Sequence, residues 1–266
     1  MRATVAPRCA ASARAVARGA WPDGRDVEAN VSIEVREKAL ETMFPKPGNA
    51  CEALNVFFDG QREKELAEDD TIFARRGFET LRKLRDAMTR ERPEGRPAGL
   101  SHVWDPLQCR VSHGLALPRG VSVDDVGELT RLMERRYFDA FTRADAKRLI
   151  GTSLLREIAD EMTRESPVKL TLYAGHDSTI IALFAALDEP AFGSLREWPR
   201  VCSALIFETW RMNDDTIGVR AVYNGETIKL TETSRREDGM TPYVDFRALV
   251  ERRSPRDFVS ACKSKL

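Results

Sequence analysis

Histidine is scarce in this chain: His102, His113 and His176 are the whole supply in 266 residues, and no two stand at a metal-ligand spacing. The five cysteines, Cys9, Cys51, Cys109, Cys202 and Cys262, include no Cys-x-x-Cys pair, which argues against zinc or iron–sulfur binding and leaves disulfides or buried thiols. An odd count leaves at least one unpaired in a monomer. No apolar run approaches the length of a membrane helix, and 42 Lys+Arg balance 42 Asp+Glu, so neither membrane insertion nor a globally basic nucleic-acid surface is indicated. Gly-x-Ser-x-Gly and Gly-x-x-x-x-Gly-Lys-Ser/Thr are both absent, which removes the serine-hydrolase elbow and the nucleotide phosphate loop. What is present, 42% hydrophobic and 32% charged residues, suits a globular chain of one large domain or two small ones.

Against that background one stretch concentrates the chemistry. Leu170 to Leu183 runs from an apolar, β-branched and aromatic segment through Gly175-His176-Asp177-Ser178 into Ile180 and Leu183, with Phe184 and Leu187 beyond. The pattern predicts buried strand, tight turn and buried helix. Backbone N–H groups at the start of such a helix favour an anion, and an imidazole beside a carboxylate supplies one phosphate-contacting donor and one proton donor. Phosphate-ester cleavage is the chemistry this suggests. A plainer reading stands beside it, in which Asp177 or Ser178 caps the helix and His176 is a satisfied, half-buried side chain.

Residues 1–22 hold Arg2, Arg8, Arg14 and Arg18 among alanines, with no acid before Asp23, the composition of a transit peptide or of an amphipathic helix. As a helix it places Ala10, Ala13, Val16 and Ala17 on one face and ends near Gly19 and Pro22. Val31, Ile33 and Val35 alternate as a short half-buried strand, and Pro45, Pro47 and Gly48 mark a loop. Phe78, Leu81, Leu84 and Met88 trace a helix from Asp70 to about Arg92, with Arg82, Arg85 and Asp86 on its polar face and the Pro/Gly run at 92–97 ending it. Ser122 to Asp125 opens another helix with a capping box, and Leu149, Leu154, Leu155, Ile158 and Met162 line a third. Beyond Pro167 strands take over: Val168–Ala174, Ala204–Trp210, and a hairpin of Val219–Tyr223 and Thr227–Leu230 about Asn224-Gly225. His102 and His113 carry no surrounding motif and read as structural or surface residues. Among the arginines, Arg2 is singled out as a planar fork for phosphate.

Taken together, these stretches resemble the histidine acid phosphatase family, the acid phosphatase/phytase branch of the histidine phosphatase superfamily. Tyr173 to Ile180 is similar to the family's His-Asp signature; residues 1–13, Met-Arg-Ala-Thr-Val-Ala-Pro-Arg-Cys-Ala-Ala-Ser-Ala, resemble its Arg-x-Thr…Arg…Ser-Ala segment. Residues 103–118 look like its Tyr-Asp-x-Leu…Cys…His-Asn…Pro segment, and Ser203–Glu208 with Val222–Gly225 look like its closing strands. The resemblance covers nearly the whole chain, and it favours the helix over the transit peptide for residues 1–22.

The resemblance implies an α/β fold: a sheet flanked by helices, with a mostly helical insertion over about residues 55–165, an α/β core of 1–35 and 167–266, and the first strand missing. It implies His176 as donor to the phosphoryl oxygens, Asp177 as the general acid and Arg2 as the phosphate clamp, with no metal and no cofactor. The substrate would be a phosphomonoester small molecule or a phosphoprotein; nucleic acid is not a partner, this chain has no membrane segment, and a homodimer is left open. The family's nucleophile lies in an Arg-His-Gly-x-Arg-x-Pro motif that occurs nowhere here, so the expectation is a chain whose nucleophile strand lies before Met1. Cys109 with Cys202 and Cys51 with Cys262 are the implied disulfides, Cys9 remaining free, which would place the full-length protein in a secretory, lysosomal or extracellular compartment. The alternatives are an inactive pseudophosphatase that binds phosphorylated ligands and an interaction module of unrelated fold.

Overall fold

A computed structural model describes residues 1–22, 31–44, 51–92, 97–143, 146–187, 195, 197–230 and 239–263. The contacts divide the chain into one unit of Met1–Asn55 with Phe141–Leu266 and a second of Val56–Ala140. The first is built on β1 (Arg2–Ala3), which lies parallel between β2 (Glu34–Val35) and β3 (Tyr173–Ala174). Helix α1 (Pro7–Ala20) starts on a proline whose fixed φ suits a first turn. Its small residues Cys9 and Ala13 pack on Ala3 and Ala174. The buried line is Cys9, Ala13 and Ala17 at four-residue spacing; Val16, expected on that face, is 49% exposed. The alanines let the helix approach the sheet closely, and the bulkier Val16 is displaced to the flank.

The strand expected over 168–174 pairs only at its end. Val168 and Leu170 are about 60% exposed, and the ladder begins with the Arg2 N–H donating to the Leu172 carbonyl. Beyond the turn, α7 (Asp177–Ala186) is buried from Ile181 to Ala186, as its unbroken apolar run predicts. Packed on it, α6 (Thr152–Thr163) starts at Gly151, whose φ is +74° and where an added Cβ would lie 2.2 Å from the Ala182 carbonyl oxygen. Only glycine permits that approach. Strands β5 (Ile217–Tyr223) and β6 (Glu226–Ile228) form the predicted hairpin, and the predicted strand β4 (Leu205–Arg211) pairs antiparallel with β5, as does β7 (Thr241–Pro242). Asn224 and Gly225 turn the chain at φ +50° and +89°. Helices α8 (Tyr243–Arg253), which buries Phe246, Leu249 and Val250, and α9 (Phe258–Lys263) close the unit.

Cys51 and Cys262 are joined by a disulfide that fastens α9 to the start of α2 (Glu52–Phe73). The second expected bridge is not formed: Cys109 and Cys202 are exposed free thiols, and Cys9 is a buried one.

The second unit takes most of α2, α3 (Glu79–Glu91), α4 (Leu100–Ser112) and α5 (Val123–Thr142). The continuous helix predicted from Asp70 is broken after Phe73, with Gly77 at φ +95° before α3 resumes. Arg85, expected on the polar face, is buried: its Nε donates to the Ala98 carbonyl at 2.8 Å, Nη1 reaches Asp70 at 2.7 Å, and its guanidinium lies over the Phe73 ring. A long side chain can be buried when its charged end is fully partnered, which a helical stripe does not reveal. The Ser122 capping box forms as read, Ser122 and Asp125 exchanging hydrogen bonds of 2.8 and 3.1 Å. The predicted loop at Pro45–Gly48 lies outside the described residues. Among the described residues no helix is long and apolar enough to cross a membrane.

Candidate functional site

β1 and β3 run parallel side by side, with Arg2 opposite Tyr173 and Ala3 opposite Ala174. Each leads through a short turn into a helix, β1 to α1 and β3 to α7. The residues just past both strand ends therefore converge where two helix N-termini begin, the edge at which open α/β sheets bind ligands.

His176 sits at the centre of that convergence. Its Nε2 is 3.0 Å from Thr4 Oγ1 and 3.8 Å from Cys9 Sγ, its Nδ1 is 3.4 Å from Arg8 Nη2, and its ring stacks on Phe44 with centroids 5.3 Å apart. A guanidinium can only donate, so Nδ1 is the acceptor and the proton belongs on Nε2, which donates to Thr4. The imidazole is thereby held neutral. Burial, then the positive charge of Arg8, pushes its pKa below the ordinary histidine value, and Asp177 offsets them only in part. Thr179 locks the turn: its hydroxyl accepts from the His176 N–H at 3.0 Å and donates to the Met43 carbonyl at 2.7 Å.

Asp177 opens α7, where a carboxylate complements the helix dipole. The Ser178 N–H donates to Oδ1 at 2.7 Å and the Trp198 indole donates to Oδ2 at 2.8 Å. His176 and Asp177 are thus adjacent but differently held, the imidazole between Thr4 and Arg8 and the carboxylate between a backbone amide and an indole.

Arg2 lies elsewhere. Its side chain is 5% exposed and gives Nη2 to Glu41 at 2.6 Å and Nη1 to Glu157, while its guanidinium lies over the Tyr173 ring. Thr42 donates to Glu157 at 2.8 Å, and Arg36 reaches the same carboxylate at 3.2 Å. Burial pushes the Glu157 carboxyl up, but the hydrogen bonds from Arg2 and Thr42, with the charges of Arg2 and Arg36, hold it below the ordinary glutamate value. The same burial and the charge of Glu157 push the Tyr173 phenol up to about 12. His102 lies in the helical unit, where its Nδ1 accepts from the Gly99 N–H at 3.1 Å.

Of the residues at the pair, Thr4 and Arg8 fall inside the Arg-x-Thr…Arg segment that sequence reading had singled out through Arg2. Strand alternation puts Arg2 and Thr4 on the same side of a buried alanine and does not separate them; the local mark on Arg8 is that it follows Pro7 in the first helical turn. Phe44 and Trp198 come from distant loops and carried no local signal. Among the described residues no three His, Cys, Asp or Glu side chains are grouped to hold a metal.

A parallel sheet with a Gly-His-Asp turn at its carboxyl edge, together with an all-helical unit, defines the class: this is the histidine phosphatase fold. Across the whole chain it is similar to the phytase from D. castellii (TM-score 0.65, 15% identity, 60% of that chain covered) and, across 99%, to Hafnia alvei phytase (TM-score 0.58, 14% identity, 79% covered). Residues 133–224, which contain His176 and Asp177, match the family model of the histidine phosphatase superfamily (branch 2). Homo sapiens lysosomal acid phosphatase is 30% identical over 175 residues, covering 61% of this chain and 40% of that protein; Homo sapiens prostatic acid phosphatase is 33% identical over 95 residues, 33% and 25% of the two chains. In sequence and in fold the chain is thus similar to histidine acid phosphatases and phytases. It spans about 40% of the length of the lysosomal relatives it matches.

Proposed function

We propose that this chain carries the phosphate-binding and proton-donating half of a phosphomonoester hydrolase site. The observation that carries the reading is the Arg8–His176 contact of 3.4 Å, with Asp177 at the head of α7 beside it. Arg8, exposed and at the first turn of α1, is the phosphate fork; Arg2, already spent on two carboxylates, is the strut that anchors β1. A phosphoryl oxygen arriving at Arg8 competes with His176 Nδ1 for the guanidinium N–H. When a nucleophile from outside these residues takes the phosphoryl group and the ester P–O bond breaks, Asp177, protonated beforehand from solvent, would pass that proton to the leaving alcohol oxygen. The nucleophile is not among the 266 residues, which contain no Arg-His-Gly. The substrate class is a small phosphomonoester or a phosphoprotein, and the similarity to lysosomal acid phosphatases supports a secretory or lysosomal setting for the full-length protein. That same absence favours a second reading, in which the site binds a phosphorylated ligand without turning it over.

The test is the His176 ring resonance of the purified chain titrated with inorganic phosphate. Phosphate should shift it and Arg8→Gln should weaken that binding roughly tenfold, the size of one charge-assisted pair. A wild-type response in Arg8→Gln would overturn the assignment. p-Nitrophenyl phosphate turnover by this chain, abolished in Asp177→Asn, would show that the nucleophile is present after all.

A further inference from the structure

The helical unit contains a surface cavity of about 290 Å³ to which four helices contribute: α2 through Arg62, Glu65 and Asp69, the end of α3 through Arg92, the start of α4 through Ser101 and His102, and α5 through Arg136 and Tyr137. None of these residues belongs to the His176 site. Its charges sort into a closed set and an open set. Asp69, 1% exposed, is ion-paired with Arg136 through Oδ1 at 2.7 Å and accepts the Leu100 N–H on Oδ2 at 2.8 Å. Arg136 is likewise engaged, reaching Glu68 and the Glu65 carbonyl as well, each at 3.4 Å. That pair forms a neutral base.

Arg62 and Arg92 are left as positive charge around the opening, and Arg92 Nε is buried with no hydrogen-bond partner among the described residues. His102 accepts the Gly99 N–H on Nδ1, so its ring proton sits on Nε2 as a further donor. We propose that this cavity is an oxyanion site, taking inorganic phosphate or a small phosphomonoester between Arg62, Arg92 and His102. The volume suits a small ligand and is below the usual range for drug-sized ones, which starts at roughly 300 Å³. Two guanidinium forks and an imidazole N–H are donors matched to a tetrahedral anion of charge about −1.5 to −2.

The titratable neighbours agree with this assignment. Burial, then the charges of Arg92 and Arg62, lowers the His102 pKa, with the Gly99 contact and Asp69 acting in the opposite sense. Burial, with the nearby Asp69 and Glu68, pushes the Glu65 pKa up against the pull of Arg136. An anion lodged between the arginines reverses the largest charge effect on His102, and its imidazole pKa must rise. A ring that served only to cap α4 would show no such response.

The experiment follows the His102 ring resonances of the full chain across pH, at constant ionic strength, with chloride, inorganic phosphate or glycerol phosphate. With only three histidines, single His→Asn variants assign every peak. Either phosphate should raise the His102 pKa, and Arg62→Gln/Arg92→Gln should weaken that response at least tenfold while leaving the His176 response intact. Arg8→Gln should do the reverse, so failure at one site is distinguishable from failure at the other. A His102 titration indifferent to both phosphates, or unchanged in the double variant, would overturn the proposal. Arg62 is exposed and Arg92 half-buried, and circular dichroism verifies that the variants stay folded.

Discussion

Replacing Arg2 by methionine tests the core beneath the site most sharply. The substitution keeps an unbranched apolar stem and removes the charge that Glu41, with 0% side-chain exposure, and Glu157, at 19%, both rely on. Removing one partner of a buried pair costs about 3–5 kcal/mol, because the other charge stays buried without compensation. Glu41 still accepts the Met43 N–H at 2.9 Å, and Glu157 still has Thr42 and Arg36, which places the expected loss near 3 kcal/mol, the lower end of that range. Against a total stability of about 5–15 kcal/mol this is a large fraction. The sign with pH follows from Glu157. In the wild type its folded pKa lies below 4.5, so the stability it confers is present above that value and is lost as pH falls through the folded pKa. In Arg2→Met, burial becomes the dominant influence, the Glu157 pKa rises above 4.5, and protonation relieves the strain. The gap between the two proteins is therefore widest near neutrality and narrows toward pH 4. Urea unfolding followed by circular dichroism at pH 7, 5.5 and 4 measures it. A loss under about 1 kcal/mol at pH 7, or a gap that widens on acidification, would refute the reasoning.

Three further expectations are independent of that network. Gly151→Ala should cost several kcal/mol, beyond the usual penalty of about 1 kcal/mol for alanine at positive φ, because its Cβ would meet the Ala182 carbonyl oxygen at 2.2 Å; a thermal midpoint within a degree of wild type would show that α6 and α7 do not pack this way. Removing the Cys51–Cys262 bridge by a double alanine substitution should lower stability by roughly 5 kcal/mol from the loop entropy of a 211-residue separation, read as the shift in urea midpoint; an unchanged midpoint would exclude the bridge. Arg8→Gln should raise the His176 pKa toward 6.5 in a proton NMR titration, since the arginine charge is the second cause of its depression, and a lower value would place Arg8 away from the ring.

Local features of both units were legible in the sequence. The Gly-His-Asp turn, the Asn224-Gly225 hairpin, the Ser122 box and the apolar run of α7 depend on residues within a few positions of one another, where φ preferences, capping and periodicity act directly. The resemblance rested on such local stretches, and the disulfide it implied between Cys51 and Cys262 is present, whereas its Cys109–Cys202 counterpart is not. Exposure was read less well. Val16, Val168 and Leu170 are apolar yet outward-facing, and Arg85 is charged yet buried, because burial depends on what packs against an element as much as on its own pattern.

Only tertiary structure decided which arginine meets the imidazole. Arg2 and Arg8 are both basic and six residues apart in one motif, the first in a strand and the second in a first helical turn; parallel pairing of β1 with β3 turns the first toward Glu41 and Glu157 and carries the second to His176. Phe44 and Trp198 reach the same turn across long sequence separations, through contacts that no periodicity records. By itself the sequence determined that a histidine–aspartate pair would stand at a strand-to-helix turn, since that follows from neighbouring residues. What surrounds the pair, a guanidinium, a hydroxyl, an aromatic face and an indole donor, comes from segments brought together by burying α1 and α7 against the sheet.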